Sequence, residues 1–144
     1  MYLANYKREG VRQIVMATLD NFFSPQRIGF EVKVKVYKQS REIFFTFTGL
    51  PDLSTKRPGM ERTPIRVMLE EMHACQCEDK GNPGVGAGLA VVNAFSKSLE
   101  WTDGKVSLLY KDGVLVKETQ NNSATETAWM IVQPIDEIDF EAGV

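Results

Sequence analysis

Five apolar residues, Ile28, Phe30, Val32, Val34 and Val36, alternate with Gly29, Glu31, Lys33 and Lys35. A period of two sends successive side chains to opposite faces, so this segment is a strand with one buried and one solvated face. Gln39-Ser40 reads as a turn into a second strand, Glu42 to Thr48, with Ile43, Phe45 and Phe47 on one side. The two strands are expected to form a hairpin.

Around this hairpin the pattern changes period. From Gly10 to Phe23 the residues Val11, Ile14, Val15, Met16, Leu19, Phe22 and Phe23 recur at helical spacing, and Ser24-Pro25 is expected to end that helix. Gly49 to Arg62, rich in Pro, Gly and charge, reads as a loop. Thr63 is expected to cap a helix that opens with Pro64 and runs to about Ala74, since proline at the first helical position loses no hydrogen bond. A polar stretch, Cys75 to Pro83, leads into Gly84-Val85-Gly86-Ala87-Gly88, and an apolar helix is expected from Leu89 to about Lys97. Strands follow at Ser98 to Thr102, Lys105 to Tyr110, Val114 to Thr119 and Thr127 to Val132. Asp103-Gly104 and Asp112-Gly113 stand between the first three as hairpin turn signals. The order implies an α+β two-layer sandwich with a mainly antiparallel sheet.

At 144 residues the chain has the length of one domain. Its net charge of -2 excludes the strong basic field that grips nucleic acid through its phosphates. The basic residues Arg27, Lys33, Lys35, Lys38 and Arg41 read as a solvated strand face. No apolar run approaches the roughly 20 residues of a membrane helix. Cys75 and Cys77 are too close to staple a fold and too few for a structural zinc. They read as reduced thiols, and with no signal-like amino terminus the expected address is cytoplasmic.

Two elements could carry chemistry. Closely spaced glycines ahead of a helix let backbone N–H groups approach an anion. Cys75 to Lys80 is too polar for the strand that a dinucleotide turn requires, and no lysine follows Gly88 until Lys97, as a P-loop would demand. Phosphate contact and a purely structural helix entry both stay open. On the first helix, Ala17 and Asn21 lie one turn apart. Asn21 offers either a carbonyl oxygen for hydrated Mg²⁺ or only the polar end of the helix. His73, the single histidine, reads as structural.

The order of segments resembles a known family. Gly10-Val11-Arg12-Gln13-Ile14-Val15-Met16-Ala17-Thr18-Leu19-Asp20-Asn21 is similar to the first helix of the gyrase B ATPase domain, written Gly-Leu-His-His-Leu-Val-x-Glu-Val-Val-Asp-Asn. Met1-Tyr2-Leu3-Ala4 resembles its Met-Tyr-Ile-Gly, and Gly49-Leu50-Pro51 the end of its Asp-Gly-Arg-Gly-Ile-Pro turn. Val67 to Ala74 resembles Val-Val-Leu-x-x-Leu-His-Ala. Gly86 to Ser96 resembles Gly-Val-Gly-x-Ser-Val-Val-Asn-Ala-Leu-Ser, and Met130 to Phe140 the closing Phe-x-Pro-Asp-x-x-Ile-Phe. The resemblance implies a Bergerat-type (GHKL) sandwich, with a mainly antiparallel mixed sheet and helices on one face. It implies ATP with Mg²⁺ as ligands, and Asn21, Gly49, Pro51, Gly84, Gly86 and Gly88 as the nucleotide-binding set, Asn21 also meeting the metal. A protein partner or a second copy is implied, whereas direct DNA contact by this segment is not.

The departures from that family concern chemistry. The general base, a glutamate one turn before the asparagine, is Ala17 here, which neither accepts a proton nor orients water. The aspartate that receives the adenine amino group falls near Phe45, whose ring would fill the base pocket, and Phe47 stands where glycine is expected. The glycine motif's histidine is Val85. The family's threonine aligns with Ala128, one residue from Thr127. The chain is expected to be one domain, 1–144, without the family's amino-terminal arm or its transducer domain, and unable to hydrolyse ATP alone.

Overall fold

The computed structural model of the chain describes residues 2–22, 29–71 and 88–140. The elements run α1 (Tyr2–Phe22), β1 (Glu31–Tyr37), β2 (Glu42–Thr48), α2 (Pro64–Glu70), α3 (Gly88–Ala94), β3 (Ser96–Thr102), β4 (Val106–Lys111), β5 (Val114–Gln120) and β6 (Thr127–Pro134). The strands form one six-stranded sheet in the order β1-β2-β6-β3-β4-β5. Its pairings among the described residues are all antiparallel, in keeping with the mainly antiparallel α+β sandwich expected. The reason is topological. β2 and β3 point the same way, but β6 returns between them and separates them.

The alternation in β1 and β2 sets which face is buried. Val32, Val34 and Val36 stand opposite Phe47, Phe45 and Ile43, and the rows continue through Ala128, Met130 and Val132 to Trp101 and Leu99. The helices cover this face, with α3 packed between α1, α2 and β3. The other face carries Lys33, Lys35, Phe44, Thr46 and Trp129, with no helix of the described residues on it.

Helix limits follow tertiary contacts more than propensity. α1 begins at Tyr2, not Gly10. Gly10 is where the helix meets Ile138: a Cβ there would lie 2.5 Å from Ile138 Cγ2. α3 ends at Ala94 rather than near Lys97, because the Ser96 hydroxyl donates to Val92 O (2.6 Å) and Ser96 already pairs with Pro134. Thr63 occupies the N-cap of α2 without a side-chain capping bond. The helix entry is satisfied from outside instead, Ile65 N donating to Leu53 O at 2.9 Å.

The two Asp-Gly turns differ. Asp112 and Gly113 have φ of 51° and 81°, the left-handed pair that a two-residue hairpin demands. At the other, the Asp103 carboxylate accepts from Lys105 N and Val106 N, both at 2.8 Å, and holds a three-residue turn. Arg41 corrects another expectation. It does not lie on a solvated strand face but donates to Ile135 O (3.1 Å) and Ile138 O (2.8 Å), with its guanidinium 4.7 Å from the Phe140 ring centre. Lys33, Lys35 and Lys38 are exposed as expected, and Arg27 lies outside the described residues.

Candidate functional site

Asn21 and Gly88 meet where α1 crosses α3. Asn21 is buried, its Nδ2 donates to Ala17 O at 3.1 Å, and its Oδ1 has no partner among the described residues. Thr18, on the same helix, is buried with its hydroxyl likewise unpartnered. Gly88 lets the helices close: a Cβ there would lie 1.7 Å from Asn21 Nδ2 and 2.7 Å from Ala17 O. Gly84, Gly86, Val85, His73, Cys75 and Cys77 lie outside the described residues.

Phe45 and Phe47 are fully buried. Their rings stack at 6.1 Å, and Phe47 also packs on Phe22 (4.6 Å) and Trp101 (5.7 Å). Such rings contribute through area and through their tilted or offset contacts. They belong to the core cluster that Phe22 joins from the end of α1.

Gly49 and Pro51 border a different space. A cavity of about 450 Å³ opens at one end of the sheet, where β2 and β3 finish and β6 begins. Its walls include Gly49, Pro51, Trp101, Asp103, Lys105 and Glu126, with Thr127 and Ala128 at the start of β6. Asn21 and Gly88 are not among them. The predicted set therefore separates into a helix-crossing pair and a cavity-rim pair. Gly49 has φ of 86° and its missing Cβ clears Gly29 O, so the turn needs glycine. Sequence reasoning missed Trp101, Asp103, Lys105 and Glu126; only the Asp103-Gly104 turn signal pointed near them.

The cavity rim is held by polar bonds. Lys105 Nζ donates to Asp52 Oδ2 (2.5 Å) and Thr55 Oγ1 (2.7 Å), tying the loop after β2 to the β3–β4 turn. These contacts, the Lys105 hydrogen bond foremost, lower the Asp52 carboxyl to about 2. Asp103 accepts from Trp101 Nε1 (3.0 Å) and from the Ser54 hydroxyl.

A second network fastens α2 to the sheet. Tyr110 Oη donates to Glu70 Oε2 (2.5 Å), which also receives Arg66 Nε (2.8 Å), while Arg62 reaches Glu70 Oε1 (2.9 Å). Burial pushes the Tyr110 hydroxyl up, reinforced by the bond to Glu70. Burial would also raise Glu70, but Arg66, Tyr110 and Arg62 outweigh it and hold that carboxyl below its ordinary value. Stability linked to Glu70 is thus present above its unfolded pKa of about 4.3 and is lost as pH falls through the lower folded value. Tyr110→Phe should cost about 2 kcal/mol at pH 7, because it deletes a hydrogen bond to a charged group. It should also make stability fall less steeply on acidification. Urea melts between pH 3 and 7 check both.

Among the described residues, no group of His, Cys, Asp or Glu is arranged to hold a metal ion, and no helix is long and apolar enough to cross a membrane.

The six-stranded antiparallel sheet, with α1 and its Asn21 among the helices on one face, has a counterpart among solved folds. The 43K ATPase domain of Thermus thermophilus gyrase B, in complex with an aminocoumarin, superposes with a TM-score of 0.67. The alignment covers 90% of this chain and 35% of that one, at 19% identity. The fold is that of the gyrase B ATPase domain. Sequence gives the same direction. The chloroplastic/mitochondrial DNA gyrase B protein of Oryza sativa subsp. japonica is 28% identical over 116 residues, and that of Nicotiana benthamiana 29% over 118. Each match covers 73% of this chain and 16% of the relative, so the chain spans a small part of those proteins' length. No protein-family model matches. By sequence and by fold, the similarity to the gyrase B ATPase domain is distant.

Proposed function

We propose that the chain is a gyrase-B-type ATP-binding domain that holds Mg-ATP weakly and does not hydrolyse it alone. The observation that carries this is the aromatic core. Phe45 stands where the family's adenine acceptor is expected, and it is fully buried against Phe47 in a cluster with Phe22 and Trp101. A phenyl ring offers the adenine amino group no acceptor. Ala17, at the general-base position, contributes only its carbonyl, already bonded to Asn21.

What supports residual binding is Asn21. Its buried Oδ1 has no partner among the described residues, and such an orphan carries a desolvation cost that a hydrated Mg²⁺ would offset. When bound, Mg²⁺ neutralises phosphate charge. Asn21 would orient it, Gly49 and Pro51 would border the ligand, and Gly84, Gly86 and Gly88 would take the phosphates. The test is calorimetric titration with Mg-ATP beside a phosphate-release assay. The expected result is weak heat at millimolar nucleotide and no turnover above the Mg-ATP blank. Turnover by the isolated chain would overturn the proposal, and the absence of heat would remove nucleotide binding from it.

A second reading, an interaction module that keeps the fold without the ligand, is favoured by the sheet face that no helix of the described residues covers, where Tyr37 and Trp129 are 43% and 38% exposed. Sedimentation of the chain across micromolar concentrations tests self-association through that face.

A further inference from the structure

We propose that the outer edge of β1 pairs antiparallel with β1 of a second copy of the chain, centred on Val32, so that two sheets join into one. The pairing is independent of the nucleotide reading, and it uses the sheet's edge rather than the face around Trp129.

The two edges of the sheet differ. β5, at one end, leaves Val114 and Val116 exposed at 63% and 55%, and a register shift between Leu109 and Tyr110 disturbs its ladder. Such irregularities blunt an edge against further pairing. β1, at the other end, meets β2 in unbroken register from Glu31↔Thr48 to Tyr37↔Glu42, and it contains no proline. Alternate residues of β1 turn their N–H and C=O groups away from β2, and no strand among the described residues receives them. Its apolar row is unfinished as well. Phe30, Val32, Val34 and Val36 pack against the core but stay only half-buried, so an added strand would cover them further.

Charge selects the register. A two-fold axis normal to the sheet keeps both helix layers on one side, and it requires that a central residue face its own copy. Centring on Val34 sets Lys33 against Lys35 of the second copy, twice by symmetry. Centring on Lys33 or Lys35 sets that lysine against itself. Centring on Val32 sets Glu31 against Lys33 of the second copy, again twice, and places Phe30 opposite Val34 on the helix-covered face. Among the centres within β1, it alone brings opposite charges together without opposing like charges, and such cross-strand pairs attract. Glu31 and Lys33 are 65% and 72% exposed, and their contact within one chain is a long 3.9 Å, so both can reach across the axis.

The experiment is sedimentation equilibrium of the chain from micromolar to millimolar concentration, at low and high salt. The expected result is a monomer–dimer equilibrium that salt weakens. Glu31→Lys and Lys33→Glu each oppose like charges at two places and should weaken the dimer roughly tenfold or more. The double variant exchanges the two charges and should regain most of that loss. Circular dichroism should be the same for all four proteins, because both side chains are exposed. A monomer at every concentration would overturn the pairing. A dimer indifferent to both single variants would move the association to another surface, and a double variant as weak as the singles would overturn the register. Mg-ATP titration of the same variants is expected to match the unaltered chain, so failure of the edge pairing and failure of nucleotide binding show separately.

Discussion

Gly88→Ala is expected to destabilise the chain by about 3 kcal/mol, the upper part of the range for forcing extra atoms into a packed site. Alanine is the better helix former, so propensity alone predicts the opposite sign. Packing decides, because the new methyl would overlap Asn21 Nδ2 and press on Ala17 O. The amide could swing away, but the carbonyl belongs to the α1 backbone and moves only if the helices separate. Urea denaturation should show a lower midpoint with an unchanged m-value. Adding Asn21→Ala should recover part of the loss by removing the amide, though not all, since Ala17 O stays. Full stability in the single variant would mean that α1 and α3 do not cross at this point.

Phe45→Asp should leave the chain unfolded at pH 7. Truncating a buried phenylalanine to alanine typically costs about 3–5 kcal/mol. The carboxylate adds a desolvation penalty with no cation among the rings around it. Together these reach the whole stability of an ordinary domain, about 5–15 kcal/mol. The pH dependence has a definite sign. Burial would raise this aspartate's folded pKa above its unfolded value of about 3.9, so whatever stability the variant keeps is lost as pH rises through that value. Circular dichroism of Phe45→Asp at pH 3.5 and pH 7, beside Phe45→Leu as the apolar control, checks it. A folded Phe45→Asp at pH 7 would show that the position opens onto a polar pocket after all.

Both results concern positions whose role depends on neighbours distant in sequence, and the same distinction runs through the fold. The strands were legible because a period of two needs only a few residues to declare itself: Val32, Val34 and Val36 against Lys33 and Lys35 give the buried face unaided. Asp112-Gly113 announced its turn for an equally local reason, since few pairs accept two positive φ angles. Helix limits were less legible. Gly10 reads as a start but lies inside α1, where Ile138 needs the space. Arg41 reads as one more solvated cation, yet it binds carbonyls some 94 to 97 residues away.

The candidate site divides in the same way. Asn21, Gly49, Pro51 and Gly88 are candidates read from the chain, but how they group was not legible there. Gly88 reaches Asn21 across the helix crossing, while Gly49 and Pro51 face a cavity completed by Trp101, Lys105 and Glu126 from β3, its turn and the loop before β6. The sequence by itself determined the strand faces and the hairpins, because those depend on residue type and short spacing. Tertiary structure alone decided that β6 lies between β2 and β3, where the helices end, and which charges rim the cavity. Those depend on contacts between segments tens of residues apart, and no local pattern encodes them.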